Sequence, residues 1–186
     1  MRKIILFSMA LFAVNAYSQK QENASKMKSI YDYNTKTIDG KDFGLSSLKG
    51  KKVLIVNTAS KCGFTPQYKE LEALYKTYGS DKFVIIGFPA NNFGNQEPGT
   101  NGDIKSFCQL NYGVSFPMMS KISVKGSDID PIYQWLTKKE LNGKMDSEVK
   151  WNFQKYLIDE QGNLVDVVDS KTLPTSDKVV NWIKGN

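Results

Sequence analysis

Two unbroken apolar runs, Val53-Leu54-Ile55-Val56 and Phe83-Val84-Ile85-Ile86-Gly87-Phe88, constrain this chain more than any other feature. Neither alternates with polar residues, so both read as strands covered on two faces, as in a parallel sheet. Between them the spacing predicts one helix. Thr65 is its expected N-cap and Pro66 its first position, and Tyr68, Leu71, Leu74, Tyr75 and Tyr78 share a face before Gly79. Strand, helix and strand make a right-handed parallel crossover.

The remaining elements fit around that unit. Asp39-Gly40, between strand-like segments at 30–37 and 38–43, predicts a hairpin. A second helix is expected to begin near Asn101 or Asp103 and to run through Ile104, Phe107 and Cys108 to Gly113. A third covers 130–139 with Ile132, Trp135 and Leu136 inward. Residues 151–158 and 164–168 flank a turn at 159–163, and Thr175 or Ser176 caps a closing helix with Val179, Val180 and Ile183. The order predicts an α/β, thioredoxin-like fold: a central mixed sheet with helices on both faces, preceded by an N-terminal β-hairpin.

The first residues look like an address rather than part of the fold. Arg2 and Lys3 precede eleven apolar or small residues, 4–14, and Ala16-Tyr17-Ser18 offers a cleavage site. Eleven residues are too few to span a bilayer. The expectation is a signal peptide over 1–18 cleaved near Ser18 and Gln19, a flexible leader over 19–28, and one domain over 29–186. Such a protein is exported, periplasmic or secreted, without a stable membrane anchor. The formal net charge of +6 comes from 25 basic and 19 acidic residues that are interspersed, with no basic stripe interleaved with aromatics, so no nucleic-acid partner is expected.

The chain has two cysteines and no histidine. Without histidine there is no Ser-His-Asp or Cys-His nucleophile and no His-bound metal, so covalent chemistry must rest on a cysteine activated by backbone, lysine or amide groups. Cys62 follows the first apolar run and a short polar bend and precedes Gly63-Phe64-Thr65-Pro66, a place where helix N–H groups favour a thiolate. In an exporting chain two cysteines also suit an inert structural bridge. Hydrogen-bond donors must come from elsewhere. Gln96, in the loop after the second strand, lies at the same sheet edge as Cys62 and is placed to reach its sulfur. Trp151 and Asn152 offer an indole N–H and an amide. The ordinary readings stand beside these: a solvated loop glutamine, and a tryptophan packed in the core.

Taken together, three segments resemble the glutathione peroxidase family over nearly the whole domain, from about Tyr31 to Trp182. They are Asn57-Thr58-Ala59-Ser60-Lys61-Cys62-Gly63-Phe64-Thr65, Phe88-Pro89-Ala90-Asn91-Asn92-Phe93 with Asn95-Gln96-Glu97-Pro98-Gly99, and Trp151-Asn152-Phe153. The resemblance implies a thiol peroxidase for hydrogen peroxide and organic or lipid hydroperoxides, with catalytic Cys62, Gln96, Trp151 and Asn152 and no metal or organic cofactor. Ala90 stands where many members have a cysteine, which leaves Cys108 as the implied resolving thiol. A thioredoxin-like protein or glutathione is the implied reductant. Only residues 140–150 separate the third helix from Trp151, as in members that are monomers. The contrasting expectation is a non-catalytic redox-sensing or binding module. A disulfide oxidoreductase is disfavoured because Cys62 is not followed by a second cysteine three positions on.

Overall fold

The computed structural model describes residues 29–185, so the expected signal peptide and leader lie outside the described residues. The central sheet holds four strands in the order β4-β3-β5-β6: β3 (Lys52–Thr58), β4 (Phe83–Pro89), β5 (Lys155–Ile158) and β6 (Leu164–Val168). β3 and β4 run parallel, in register from Lys52 opposite Phe83 to Thr58 opposite Pro89. β5 is antiparallel to both β3 and β6. The mixed sheet expected from the order of elements is thus present.

Alternation along β3 explains its unbroken apolar run. Val53 and Ile55 enter one apolar layer, with Tyr156 and Ile158 of β5 and with Ile132, Tyr133, Trp135 and Leu136 of α3 (Pro131–Thr137). Leu54 and Val56 enter the opposite layer. There they meet Tyr68, Leu71 and Leu74 of α1 (Gln67–Tyr78), Ile104 and Cys108 of α2 (Asn101–Tyr112), and Val179 of α5 (Asp177–Lys184). A single turn, α4 (Lys139–Asn142), follows α3. Helices therefore cover both faces, and successive side chains of a strand must all be apolar because neither face meets water.

The expected hairpin forms a separate two-stranded sheet, β1 (Asn34–Lys36) with β2 (Asp42–Gly44), turned by Gly40 at φ 79°. Residues 30–32 make a 3-10 turn instead of extending β1, because Ser29 and Asp32 cap it reciprocally. Two other expectations are corrected. The segment 151–154 is a turn, and the strand begins only at Lys155, since Phe153 takes φ 63° and cannot continue a ladder. Helix α1 begins at Gln67, with Pro66 in the cap position.

The β5–β6 turn shows how the N-terminal turn docks. Ile30 N–H donates to the Gly162 carbonyl at 3.1 Å, and Gly162 sits at φ 84° with no room for a Cβ against Ser29 Oγ and the Tyr31 ring. Gly162→Ala is expected to lower stability by about 1–3 kcal/mol through backbone strain and overpacking, measured by urea denaturation against wild type.

Candidate active site

After Thr58 the chain folds back before α1 begins, and Thr65 closes that bend. Its hydroxyl donates to the Ala59 carbonyl at 2.8 Å and accepts from the Cys62 N–H at 3.0 Å. Thr65 is thus a clasp of the cysteine loop and not the helix cap. Consecutive turns, Thr65 N–H to Cys62 O and Gln67 N–H to Phe64 O, separate the thiol from the helix proper. The donor that meets the sulfur is a local one, the Phe64 N–H at 3.3 Å. Cys62 is 8% exposed and its thiol is free.

The Gln96 loop is bent by two left-handed residues, Gly94 at φ 60° and Asn95 at φ 53°. That bend lets the Gln96 carbonyl accept from the Lys61 N–H at 3.0 Å, so the loop is tied to the residue before Cys62. The side chain of Gln96 does not bond the sulfur. Its Oε1 accepts from Asn152 Nδ2 at 2.9 Å, which joins two of the expected site residues directly. Trp151 is 38% exposed, with its ring 5.5 Å from that of Phe93, so it is a surface group beside the loop and not a core residue. Asn152 is fully buried.

Asn57 brings these pieces together. This buried residue of β3 donates from Nδ2 to the Trp151 carbonyl (3.1 Å), accepts at its carbonyl from Phe153 N–H (2.7 Å), and accepts at Oδ1 from Gln154 N–H (3.1 Å). Sequence reasoning gave it no role, although a polar residue ending a buried apolar run is a usable signal. Among the described residues, no hydrogen bond from Gln96, Trp151 or Asn152 reaches the Cys62 sulfur in this reduced state. Gln96 and Asn152 are bonded to each other, and Gln96 is tied through its carbonyl to the residue before Cys62.

Cys108 lies apart on α2, free and 1% exposed. Burial pushes its thiol up to about 11, partly countered by a contact with the Tyr68 hydroxyl and reinforced by the nearby Glu97 carboxyl. Glu97 is itself raised by burial, against the lowering effects of Ser60, Lys121 and Lys61. The two cysteines share one apolar layer without being bonded.

A second buried polar knot lies under the site. Lys155 of β5 is fully buried, with Val56 and Val168 opposite it on the neighbouring strands. Its Nζ donates to Gln67 Oε1 (2.6 Å), Thr172 O (2.5 Å) and Ser170 O (3.5 Å). Burial lowers its pKa to about 7, opposed by Glu70 of α1 and Asp169 of the following loop. Above the knot, Phe64, Lys150, Trp151 and residues 169–172 line a groove of about 380 Å³.

The fold is thioredoxin-like, and the site is that of a peroxidase whose nucleophile is a thiol. Residues 30–137 match the family model described as glutathione peroxidase, and the chain belongs to that family. It is 53% identical over 150 residues to the glutathione peroxidase-like peroxiredoxin gpx1 of Schizosaccharomyces pombe, covering 80% of this chain and 93% of the relative. It is 45% identical over 149 residues to the hydroperoxy fatty acid reductase gpx1 of Synechocystis, covering 76% and 87%. A crystal structure of Trgpx in apo form superposes with a TM-score of 0.66 at 40% identity, over 84% of this chain and 96% of that one.

The buried lysine has a consequence for stability. Below pH 7 both folded and unfolded chains carry its proton, and the full desolvation penalty applies. Above pH 7 the folded chain releases the proton that the unfolded chain keeps until about 10.5, so this group makes stability rise with pH. Urea midpoints measured between pH 6.5 and 8.5 are expected to climb in wild type relative to Lys155→Met. The window stops short of Cys108, which acts with the opposite sign above pH 9.

Proposed function

We propose that Cys62 is the peroxidatic residue of an exported, monomeric thiol peroxidase acting on hydrogen peroxide and organic hydroperoxides. The single observation that carries this reading is the placement of Cys62 inside a loop to which Gln96 and, through Asn57, the Trp151-Asn152 turn are hydrogen-bonded. The Cys62 thiolate attacks one peroxide oxygen; the S–O bond forms as the O–O bond breaks, and water or an alcohol leaves after taking a proton. Cys62 is then a sulfenic acid. Gln96, Trp151 and Asn152 donate to the charge that develops on oxygen once peroxide enters the site, a role for which apo geometry is often loose.

Resolution by Cys108 follows in this proposal. Its sulfur attacks the sulfenic sulfur, expels the hydroxyl as water and leaves a Cys62–Cys108 disulfide, which a thioredoxin-like dithiol or glutathione reduces. The Cys108 thiol is buried and held protonated, and a disulfide needs Cα atoms within about 7 Å, so α2 loosens in this step wherever the two cysteines start farther apart than that. The export signal read in residues 1–18 favours a donor outside the cytoplasm.

Three expected outcomes test this. Cys62→Ser abolishes peroxide consumption in a coupled assay, since a hydroxyl supplies no comparable anion near neutral pH; sustained turnover would refute the assignment. Gln96→Ala slows oxidation of Cys62 by roughly ten- to a thousand-fold in stopped-flow measurements while the circular dichroism spectrum is kept. One equivalent of peroxide converts wild type to a species lighter by two hydrogens in mass spectrometry. A stable product heavier by one oxygen would instead make Cys108 structural and point to a small thiol as reductant.

A further inference from the structure

The groove beside Trp151 and the lysine buried beneath it are used by nothing in the reaction described above. The groove borders the cysteine loop. Phe64, one of its walls, is the residue whose N–H bonds the Cys62 sulfur, and Trp151 forms another. Its volume of about 380 Å³ lies within the range of sites that hold small organic molecules, about 300–1,000 Å³. The far wall is residues 169–172, which belong to no helix or strand.

What holds that wall is Lys155. An ammonium has three N–H donors, and three oxygens receive them here: the Gln67 side chain at the start of α1, and the carbonyls of Ser170 and Thr172 in the wall itself. Gln67 Nε2 donates to the same Ser170 carbonyl at 2.6 Å, closing the knot. Within the loop, only Thr172 N–H to Asp169 O adds a backbone bond. Burying a cation is costly, and a fold that needed only packing between Val56 and Val168 would be served by an apolar side chain at 155. A long side chain with an amine at its tip is explained by the oxygens it pins.

We propose that Lys155 is a positioning residue for substrate choice: through Gln67, Ser170 and Thr172 it fixes the wall of the Phe64–Trp151 groove, and that groove holds the organic part of a bulky hydroperoxide while its peroxide oxygens meet Cys62. This rests on the peroxidase reading of Cys62. Hydrogen peroxide has no organic part and does not use the wall, so the ratio of the two reactivities isolates the groove from the chemistry.

The test is stopped-flow oxidation of the reduced full-length protein by cumene hydroperoxide and by hydrogen peroxide, in wild type, Lys155→Met and Gln67→Ala. The ratio of the cumene hydroperoxide rate constant to the hydrogen peroxide rate constant is expected to fall about tenfold or more in Lys155→Met, because displacing a bound group by even an ångström has effects of that order. Gln67→Ala, which removes the same knot from the other side and leaves β5 intact, is expected to lower it in the same direction and decides the matter if Lys155→Met fails to fold. A merely structural lysine slows both peroxides alike, so an unchanged ratio in a folded variant overturns the proposal. A wild type that consumes hydrogen peroxide but not cumene hydroperoxide overturns it equally. Failure of the underlying reading is separate: it shows as a wild type inert to both peroxides, or as turnover surviving Cys62→Ser.

Discussion

The turn that carries Trp151 and Asn152 depends on the three hydrogen bonds of Asn57. This residue follows the apolar run of the central strand and binds three backbone groups of the 151–154 turn, which occurs where β5 has not yet begun. A turn at that place leaves N–H and C=O groups away from water, and each left unpaired costs about 1–3 kcal/mol. The Asn57 amide answers that need with a donor and an acceptor on one planar group. The same bonds fix Trp151 and Asn152 relative to the strand that delivers the cysteine. Turn and strand are therefore parts of one hydrogen-bonded unit, and Gln96 joins it from a third direction through Asn152.

Among the buried ionisable groups are Cys108, Glu97 and Lys155, and burial opposes the charged form of each. The Cys108 thiol and the Glu97 carboxyl are pushed up, and the Lys155 amine is pushed down. The reduced fold thus keeps its second thiol buried and protonated, while the first lies in a loop with exposed neighbours, Lys61 and Gly63. That asymmetry separates the two halves of the proposed cycle.

The sequence was most legible where one periodicity governed a whole element. The apolar runs at 53–56 and 83–88 gave both central strands, and Asn101 and Gly113 marked the ends of α2, where a capping box from Thr100 to Asp103 and a left-handed C-cap stand. The family motifs placed Cys62, Gln96, Trp151 and Asn152 in one neighbourhood. Less legible were the points at which a side chain bonds backbone far away in the chain. Thr65 has the residue type and position of a helix cap, yet its hydroxyl serves the cysteine loop; Trp151-Asn152-Phe153 has the composition of a strand, yet Phe153 turns left-handed under the pull of Asn57.

By itself, then, the sequence determined the class of fold and the order of most of its elements, because these follow from hydrophobic period and from local chemistry. The tertiary structure alone decided who bonds whom. The Gln96 side chain bonds Asn152 and not the sulfur, Cys108 is on the buried face of α2, and a lysine at the start of an apolar strand finds three oxygens, two of them backbone carbonyls fifteen and seventeen residues on. The physical reason is the same in each case. A buried polar group must find a partner wherever the fold supplies one, and which partner lies within 3 Å is a property of packing, not of position along the chain.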